Sequence, residues 1–378
     1  MGNQTDAEQL RRERWARRKE EMRRRKRRQE LFRRYYQYGI ALTAVIVVLA
    51  VFVGNRNRKE EPDEEIAETS DSVGGESVLP VGVGVRIDRF VEVFAEKEKE
   101  PEEDEQEEFS AKEYTITEAT VQLGSDIVSG HAIFVDIGSG KILARKDEAS
   151  RIVPASMTKV LTLLVAVEHI ENLDDKFEIT REITDYCLIN DCSNAGFNVG
   201  EKVTIRDLLY ATILPSGADG ALGLANYVSG SQEAFVELMN EKLEELGLSD
   251  TAHFTNCIGI YEEDHYCTIS DMAAIMEAAV KNEVCKEVLS AHTYLTSVTE
   301  EHTEGILLSN WFLRRIEDKE GGEDVLCGKT GYVGQSEHCA VSFGTAKNGR
   351  EYVCVTTNAS GKWRCIEDHA YLYKKFSD

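Results

Sequence analysis

The run Val160-Leu161-Thr162-Leu163-Leu164-Val165-Ala166-Val167 sets the first constraint on this chain, because it is apolar on nearly every face of the helix that it predicts. A surface helix keeps a polar side, so a helix without one belongs in the centre of a domain. Pro154 opens this helix, and Ser156-Met157-Thr158-Lys159 forms its start. Residues three apart share one helix face. A lysine carried into such a core is desolvated, and its pKa falls toward neutrality. The chain therefore sets a serine nucleophile beside a lysine base, an acyl-transfer pair that needs no histidine and no metal.

Two later pieces join it in order. Ser216-Gly217-Ala218 offers a second hydroxyl, and Lys329-Thr330-Gly331 offers a second cation and another hydroxyl on a strand edge. Lys329 close to Lys159 lowers the pKa of Lys159 further. Ser156 lies in the first helical turn, where its own N–H is placed to stabilise an oxyanion. Ser216 suits a proton relay to a leaving amine, and Lys329 with Thr330 suits a substrate carboxylate. Each piece also has an ordinary explanation. Many helices begin with serine and carry lysine, and Lys-Thr-Gly can be a plain strand end. Ser216-Gly217-Ala218-Asp219 reads as a capping box, with Asp219 reaching back to the cap. Their joint order, the first on a buried helix and the last on a strand, is what points to a site.

The surrounding pattern predicts an α/β (α+β) domain over residues 114–378. A β-hairpin is expected over 131–145, turning at Ile137-Gly138-Ser139-Gly140. Helical stretches follow at 205–214, 221–228 and 232–246, strands at 325–332, 339–345 and 352–357, and a last helix at 362–376. The sum is an antiparallel sheet covered by helices.

Charge divides the rest. Residues 1–37 hold 14 Lys/Arg against 6 Asp/Glu, whereas the remainder holds 30 against 62. Tyr35 to Asn55 is free of charge for 21 residues, enough to span a bilayer as one helix. The basic block before it sets the N-terminus in the cytoplasm and the later domain outside. No small-x-small site follows the span, so an uncleaved signal anchor is expected rather than a removed signal. Residues 1–34 are then a basic cytoplasmic arm, and residues 56–113, rich in acidic runs, an extended spacer. The cytoplasmic membrane is thus an expected partner; nucleic acid is not.

All nine cysteines fall between Cys187 and Cys365. In an oxidising compartment Cys187/Cys192 and Cys257/Cys267 are the nearest pairs in sequence, while buried free thiols are an equally good reading. Neither Cys-x-x-Cys nor His-Glu-x-x-His is present, and no metal or cofactor is expected.

With these residues in place, the chain resembles the serine D-Ala-D-Ala carboxypeptidases among the low-molecular-mass penicillin-binding proteins. Val153-Pro154-Ala155-Ser156-Met157-Thr158-Lys159 is similar to the family's nucleophile segment, and 198–210 and 246–256 to its flanking stretches. His265-Tyr266-Cys267-Thr268 and Gly328-Lys329-Thr330-Gly331-Tyr332 extend the likeness, which covers 131–360. The resemblance implies a serine β-lactamase/D,D-peptidase-like fold. It implies that Ser156 is acylated by peptidoglycan stem peptides ending in D-Ala-D-Ala, and by β-lactam antibiotics. Lys159 would be the base and Ser216 the relay, with Lys329 and Thr330 on the terminal carboxylate. The N–H groups of Ser156 and Tyr332, the latter just after Gly331, would form the oxyanion hole. Two departures stand out. The second motif commonly ends in asparagine, where this chain has Ala218. The β-rich C-terminal domain and terminal anchor of some members are not expected, because the chain ends 47 residues after Gly331.

Two other readings use the same residues. A class A-like β-lactamase needs a glutamate about 35 residues after the second motif to activate water, and 250–256 holds none. A non-catalytic penicillin-binding receptor or scaffold would account for Ala218 and the long arm, against an intact Ser156, Lys159 and Lys329.

Overall fold

The computed structural model describes residues 114–377. In chain order these run β1 (Thr115–Gln122), β2 (His131–Asp136), β3 (Lys141–Lys146) and the short β4 (Arg151–Ile152). A 3-10 turn, Ala155–Met157, leads into α1 (Thr158–His169). Next come β5 (Lys176–Glu178), α2 (Arg181–Ile189), β6 (Lys202–Thr204), α3 (Ile205–Ile213), α4 (Ala218–Ser229) and α5 (Gln232–Glu245). β7 (Cys267–Thr268), α6 (Ile269–Lys281), α7 (Glu283–Ser290), β8 (Thr293–Leu295), β9 (Leu307–Ser309) and α8 (Leu313–Ile316) follow. The chain closes with β10 (Val325–Val333), β11 (Glu337–Thr345), β12 (Glu351–Ala359) and α9 (Arg364–Phe376).

Six strands form the main sheet in the order β1-β3-β2-β12-β11-β10. Side-chain alternation along each strand feeds two separate cores. On β2, Ile133 and Val135 enter the larger core with the helical lobe, while Ala132 and Phe134 face the smaller one under α9. On β12, Val353 and Val355 take the first side and Tyr352 and Cys354 the second. Strands buried on both faces read as nearly continuous apolar runs, and this is how these appear in the sequence. The sheet is not wholly antiparallel, however. β1 pairs parallel with β3 at the edge, a strand the sequence pattern does not announce. Its residues, Thr-Ile-Thr-Glu-Ala-Thr-Val-Gln, bury no face, so no apolar alternation marks them.

α1 occupies the place its composition demands. Thr158 through Ala166 are all buried, and the helix packs against α3, α4, α5, α6 and α7. Burying Val160, Leu161, Leu163, Leu164 and Val165 supplies on the order of 10 kcal/mol of transfer free energy. Surrounding helices start at firm caps. Thr204 with Asp207 and Thr268 with Asp271 form reciprocal capping boxes for α3 and α6. Among the described residues no helix is long and apolar enough to cross a membrane. The expected arm, span and spacer at 1–34, 35–55 and 56–113 lie outside the described residues.

All nine cysteines are free, and all but Cys192 are buried. Neither Cys187/Cys192 nor Cys257/Cys267 forms a disulfide; the thiols act as small apolar groups in the cores.

Candidate active site

Ser156 does not sit in the α-helix proper. It lies in the 3-10 turn before α1, half-buried, with Lys159 in the first α turn behind it. Lys159 Nζ donates to Ser156 Oγ at 3.2 Å and to the Ile258 carbonyl at 2.6 Å. Burial holds the Lys159 pKa down, to about 8. The nearest thiols, Cys192, Cys257 and Cys187, leave that depression in place: burial pushes Cys257 and Cys187 up to about 12 and raises Cys192, so none is a thiolate there.

The carbonyl that holds Lys159 is presented by a turn that sequence reasoning did not single out. Asn256 Oδ1 accepts from the N–H groups of Ile258, Gly259 and Ile260, and its Nδ2 donates to the Ile260 carbonyl. Gly259 has φ +81°, and a Cβ there would lie 1.8 Å from the Ala155 carbonyl oxygen. Only glycine lets this turn press against Ala155, the residue before Ser156. Asparagine three residues ahead of glycine was the available signal, a side chain that folds its own turn. The same segment ties down α1 twice more, through Thr162 Oγ1 to the Cys257 carbonyl (2.6 Å) and Thr158 Oγ1 to His265 Nε2 (2.8 Å). Because His265 Nδ1 accepts from the Thr255 N–H, its Nε2 carries the proton given to Thr158.

Ser216 and Lys329 meet from the opposite side. Lys329 Nζ donates to Ser216 Oγ at 2.8 Å and to the Thr330 carbonyl at 2.7 Å. Burial lowers the Lys329 pKa well below the usual lysine value, and the charge of Lys159 lowers it again. The order is the reverse of the sequence expectation: burial alone depresses Lys159, and the repulsion between the two ammonium groups is expressed at Lys329. Ser216 takes φ +63° and Ala155 φ +48°, left-handed conformations that cost about 1 kcal/mol or more each. The two lie at Ser216 and directly before Ser156, where the fold spends stability to aim side chains.

Asp219 does not form the expected box with Ser216. α4 begins at Gly217 without a side-chain cap, and both Asp219 oxygens accept from the Ala195 N–H at 2.9 Å, with Gly196 at 3.2 Å. The carboxylate is thus committed to clamping the 193–197 loop onto α4. The Ala218 N–H adds to the clamp by donating to the Ser193 carbonyl at 2.8 Å.

β10 is the free edge of the main sheet on this side, and it brings Thr330, Gly331 and Tyr332 to the same cleft. A Cβ on Gly331 would stand 2.9 Å from the Ser156 backbone nitrogen and 2.7 Å from Cys339 Sγ. The strand therefore touches the peptide group of Ser156 itself, and only a glycine permits it. Ser156, Lys159, Ser216, Thr330, Gly331 and Tyr332 line one open cleft of about 770 Å³; Lys329 lies buried beneath it, joined to Ser216. The arrangement sets a serine hydroxyl against an amine of lowered pKa, with a hydroxyl–ammonium pair and an adjoining strand edge, groups that can carry out acyl transfer.

Residues 115–361 match the family model for D-alanyl-D-alanine carboxypeptidase. The D-alanyl-D-alanine carboxypeptidase DacF of Bacillus subtilis is 30% identical over 233 residues, covering 62% of this chain and 58% of that protein. A D-alanyl-D-alanine carboxypeptidase of Streptomyces sp. strain K15 is 33% identical over 233 residues, covering 60% and 78%. The crystal structure of the Streptomyces K15 DD-transpeptidase superposes with a TM-score of 0.60 at 26% identity, over 66% of this chain and 97% of that one. This chain thus spans under two thirds of the Bacillus relative's length. The match takes in all three motifs and the turn that serves Lys159, and the chain belongs to the D-alanyl-D-alanine carboxypeptidase family.

Proposed function

We propose that this protein is a serine D-Ala-D-Ala carboxypeptidase acting on peptidoglycan stem peptides, and that β-lactams acylate the same serine. The observation that carries the reading is the Ser156–Lys159 pair, a half-buried hydroxyl 3.2 Å from a fully buried amine of lowered pKa. Neutral Lys159 takes the Ser156 proton as Oγ attacks the penultimate D-alanine carbonyl. The N–H groups of Ser156 and Tyr332 receive the developing oxyanion, supported by the contact of Gly331 on Ser156. Lys329 and Thr330 hold the terminal carboxylate, and Ser216 passes a proton to the leaving D-alanine. Water then hydrolyses the ester. Where an amine takes the water's place the product is a new peptide bond, a second outcome favoured by the likeness to a DD-transpeptidase.

Ala218 leaves the cleft without the amide that the second motif commonly brings, and Asp219 is already committed to the loop. We further propose that residues 35–55 hold the enzyme on the membrane with its N-terminus in the cytoplasm; the 21-residue uncharged run behind a basic block supports this.

One experiment separates the readings. The protein is incubated with a D-Ala-D-Ala peptide and, separately, with penicillin. Free D-alanine together with a slowly lost adduct on Ser156 is expected. Rapid penicillin turnover would indicate a β-lactamase, and an adduct without D-alanine release a receptor.

A further inference from the structure

Burying a carboxylate costs stability, yet Asp219, 2% exposed, gives both oxygens to the 193–197 loop. The proposed chemistry alone gives no reason for this clamp. What it holds in place is Asn194. Immediately before that residue, the Ser193 carbonyl accepts from the Ala218 N–H at 2.8 Å. Immediately after it, the Ala195 N–H donates to Asp219 at 2.9 Å. A Cβ on Gly217 would stand 3.1 Å from that same Ala195 nitrogen. Asn194 is therefore pinned on both sides to residues 217–219, the stretch where this chain has Ala218 in place of an asparagine. Its side chain is exposed and lines the cleft together with Ser156, Lys159, Ser216 and Ala218. Two carboxamides line this cleft among the described residues. That of Asn190 donates to the Tyr186 carbonyl at 3.0 Å, whereas that of Asn194 has no partner among the described residues.

We propose that Asn194 supplies the carboxamide that Ala218 does not, as a substrate-binding residue for a backbone peptide group of the acyl donor. This rests on the carboxypeptidase reading and deepens it. A carboxamide offers an acceptor and an NH2 donor, the complement of a peptide group's N–H and C=O. In a donor ending in D-Ala-D-Ala the scissile peptide is consumed by Ser156, and the terminal carboxylate is assigned to Lys329 and Thr330. The next peptide group, on the acyl side of the scissile bond, is the one left for Asn194. Because the backbone on both sides of residue 194 is clamped, binding has only side-chain torsions to order, which keeps its entropic cost low.

The test uses the full chain, a peptide ending in D-Ala-D-Ala, and the variants Asn194→Ala, Ala218→Asn and their combination. Asn194→Ala should raise KM about tenfold, the loss of one or two substrate hydrogen bonds, with kcat within about twofold of wild type. The pH midpoint of kcat/KM should not move, and Tm should hold within about 1 °C, because an exposed side chain without a partner supports neither the base nor the fold. Ala218→Asn should lower KM several-fold more in the Asn194→Ala background than in the wild type, since one carboxamide then replaces the other. A wild-type KM in Asn194→Ala overturns the assignment. So does a loss confined to kcat, a shifted midpoint, or an Asn194→Ala chain that fails to fold, each of which makes the residue a support for the loop. An Ala218→Asn change of KM that is equal in both backgrounds also overturns it; where that variant does not fold, the KM of Asn194→Ala alone decides. If the wild type releases no D-alanine and forms no penicillin adduct on Ser156, the carboxypeptidase reading fails and takes the assignment with it. D-alanine release that is indifferent to Asn194→Ala fails the assignment only.

Discussion

Lys159 is buried because α1 is buried, and the same burial suits it to the role of base proposed for it. A depression from 10.5 to about 8 means that the folded state holds this proton less tightly than the unfolded one. The cost is about 3 kcal/mol, full below pH 8 and vanishing as pH rises toward 10.5. That stability is given up for a neutral amine near physiological pH. Acylation requires the neutral form, so kcat/KM should climb about tenfold per pH unit below 8 and level off above it. A rate flat from pH 6 to 9 would remove Lys159 from the role of base. Gly331 is the second residue on which the site turns. Gly331→Ala drives a methyl into the Ser156 nitrogen and Cys339 Sγ, and the strand must retreat. Activity should fall by about a hundredfold or more, the usual result of a displacement near 1 Å, with unfolding eased by only about 1–3 kcal/mol. Near-normal turnover in that variant would show that β10 does not set the oxyanion geometry.

At the scale of elements, the site is a junction of α1, the 256–260 turn, the start of α4 and the edge strand β10. Sequence patterns announced three of these four. The apolar run gave α1 its central place, and the motifs marked α4 and β10. The turn was missed because its work is done by backbone: the Ile258 carbonyl that receives Lys159 leaves no trace in residue 258 itself. Asp219 was misread for a related reason. A carboxylate three residues after a serine fits a capping box, yet it bonds to amides 23 and 24 residues upstream in the chain, which local spacing does not encode. Asn256→Ala should cost about 2–4 kcal/mol in denaturant unfolding, since one side chain holds three N–H groups and a carbonyl. It should also shift the pH midpoint of kcat/KM as Lys159 loses its fixed acceptor. A variant as stable as the wild type, with an unmoved midpoint, would show that the turn stands without Asn256.

At the largest scale, across the described residues, a helical lobe and α9 sandwich one sheet, and hydrophobic burial does the holding. Strands β2, β11 and β12 were legible because they are buried on both faces and read as apolar runs; that they feed two separate cores was not, and neither was β1, which is polar and lies at an edge. For nine cysteines in a chain expected outside the cytoplasm, disulfides and buried thiols were equally open readings, and all nine are free thiols, eight of them buried. A reductant should therefore leave Tm unchanged to within about 1 °C, because no covalent constraint on the unfolded chain is lost. Alkylation after denaturation without reductant should label all nine. A reductant-sensitive Tm would mean that a pair closes after all.

The whole scheme rests on Ser156 being the atom that is acylated, with Lys159 as its base. The most direct measurement is the rate of penicillin adduct formation followed by intact-protein mass, with the adduct mapped by peptide digestion. One adduct on Ser156 is predicted, absent in Ser156→Ala, forming faster as pH rises through about 8. An adduct on another residue, or one that forms on Ser156 at a rate indifferent to pH, would contradict it.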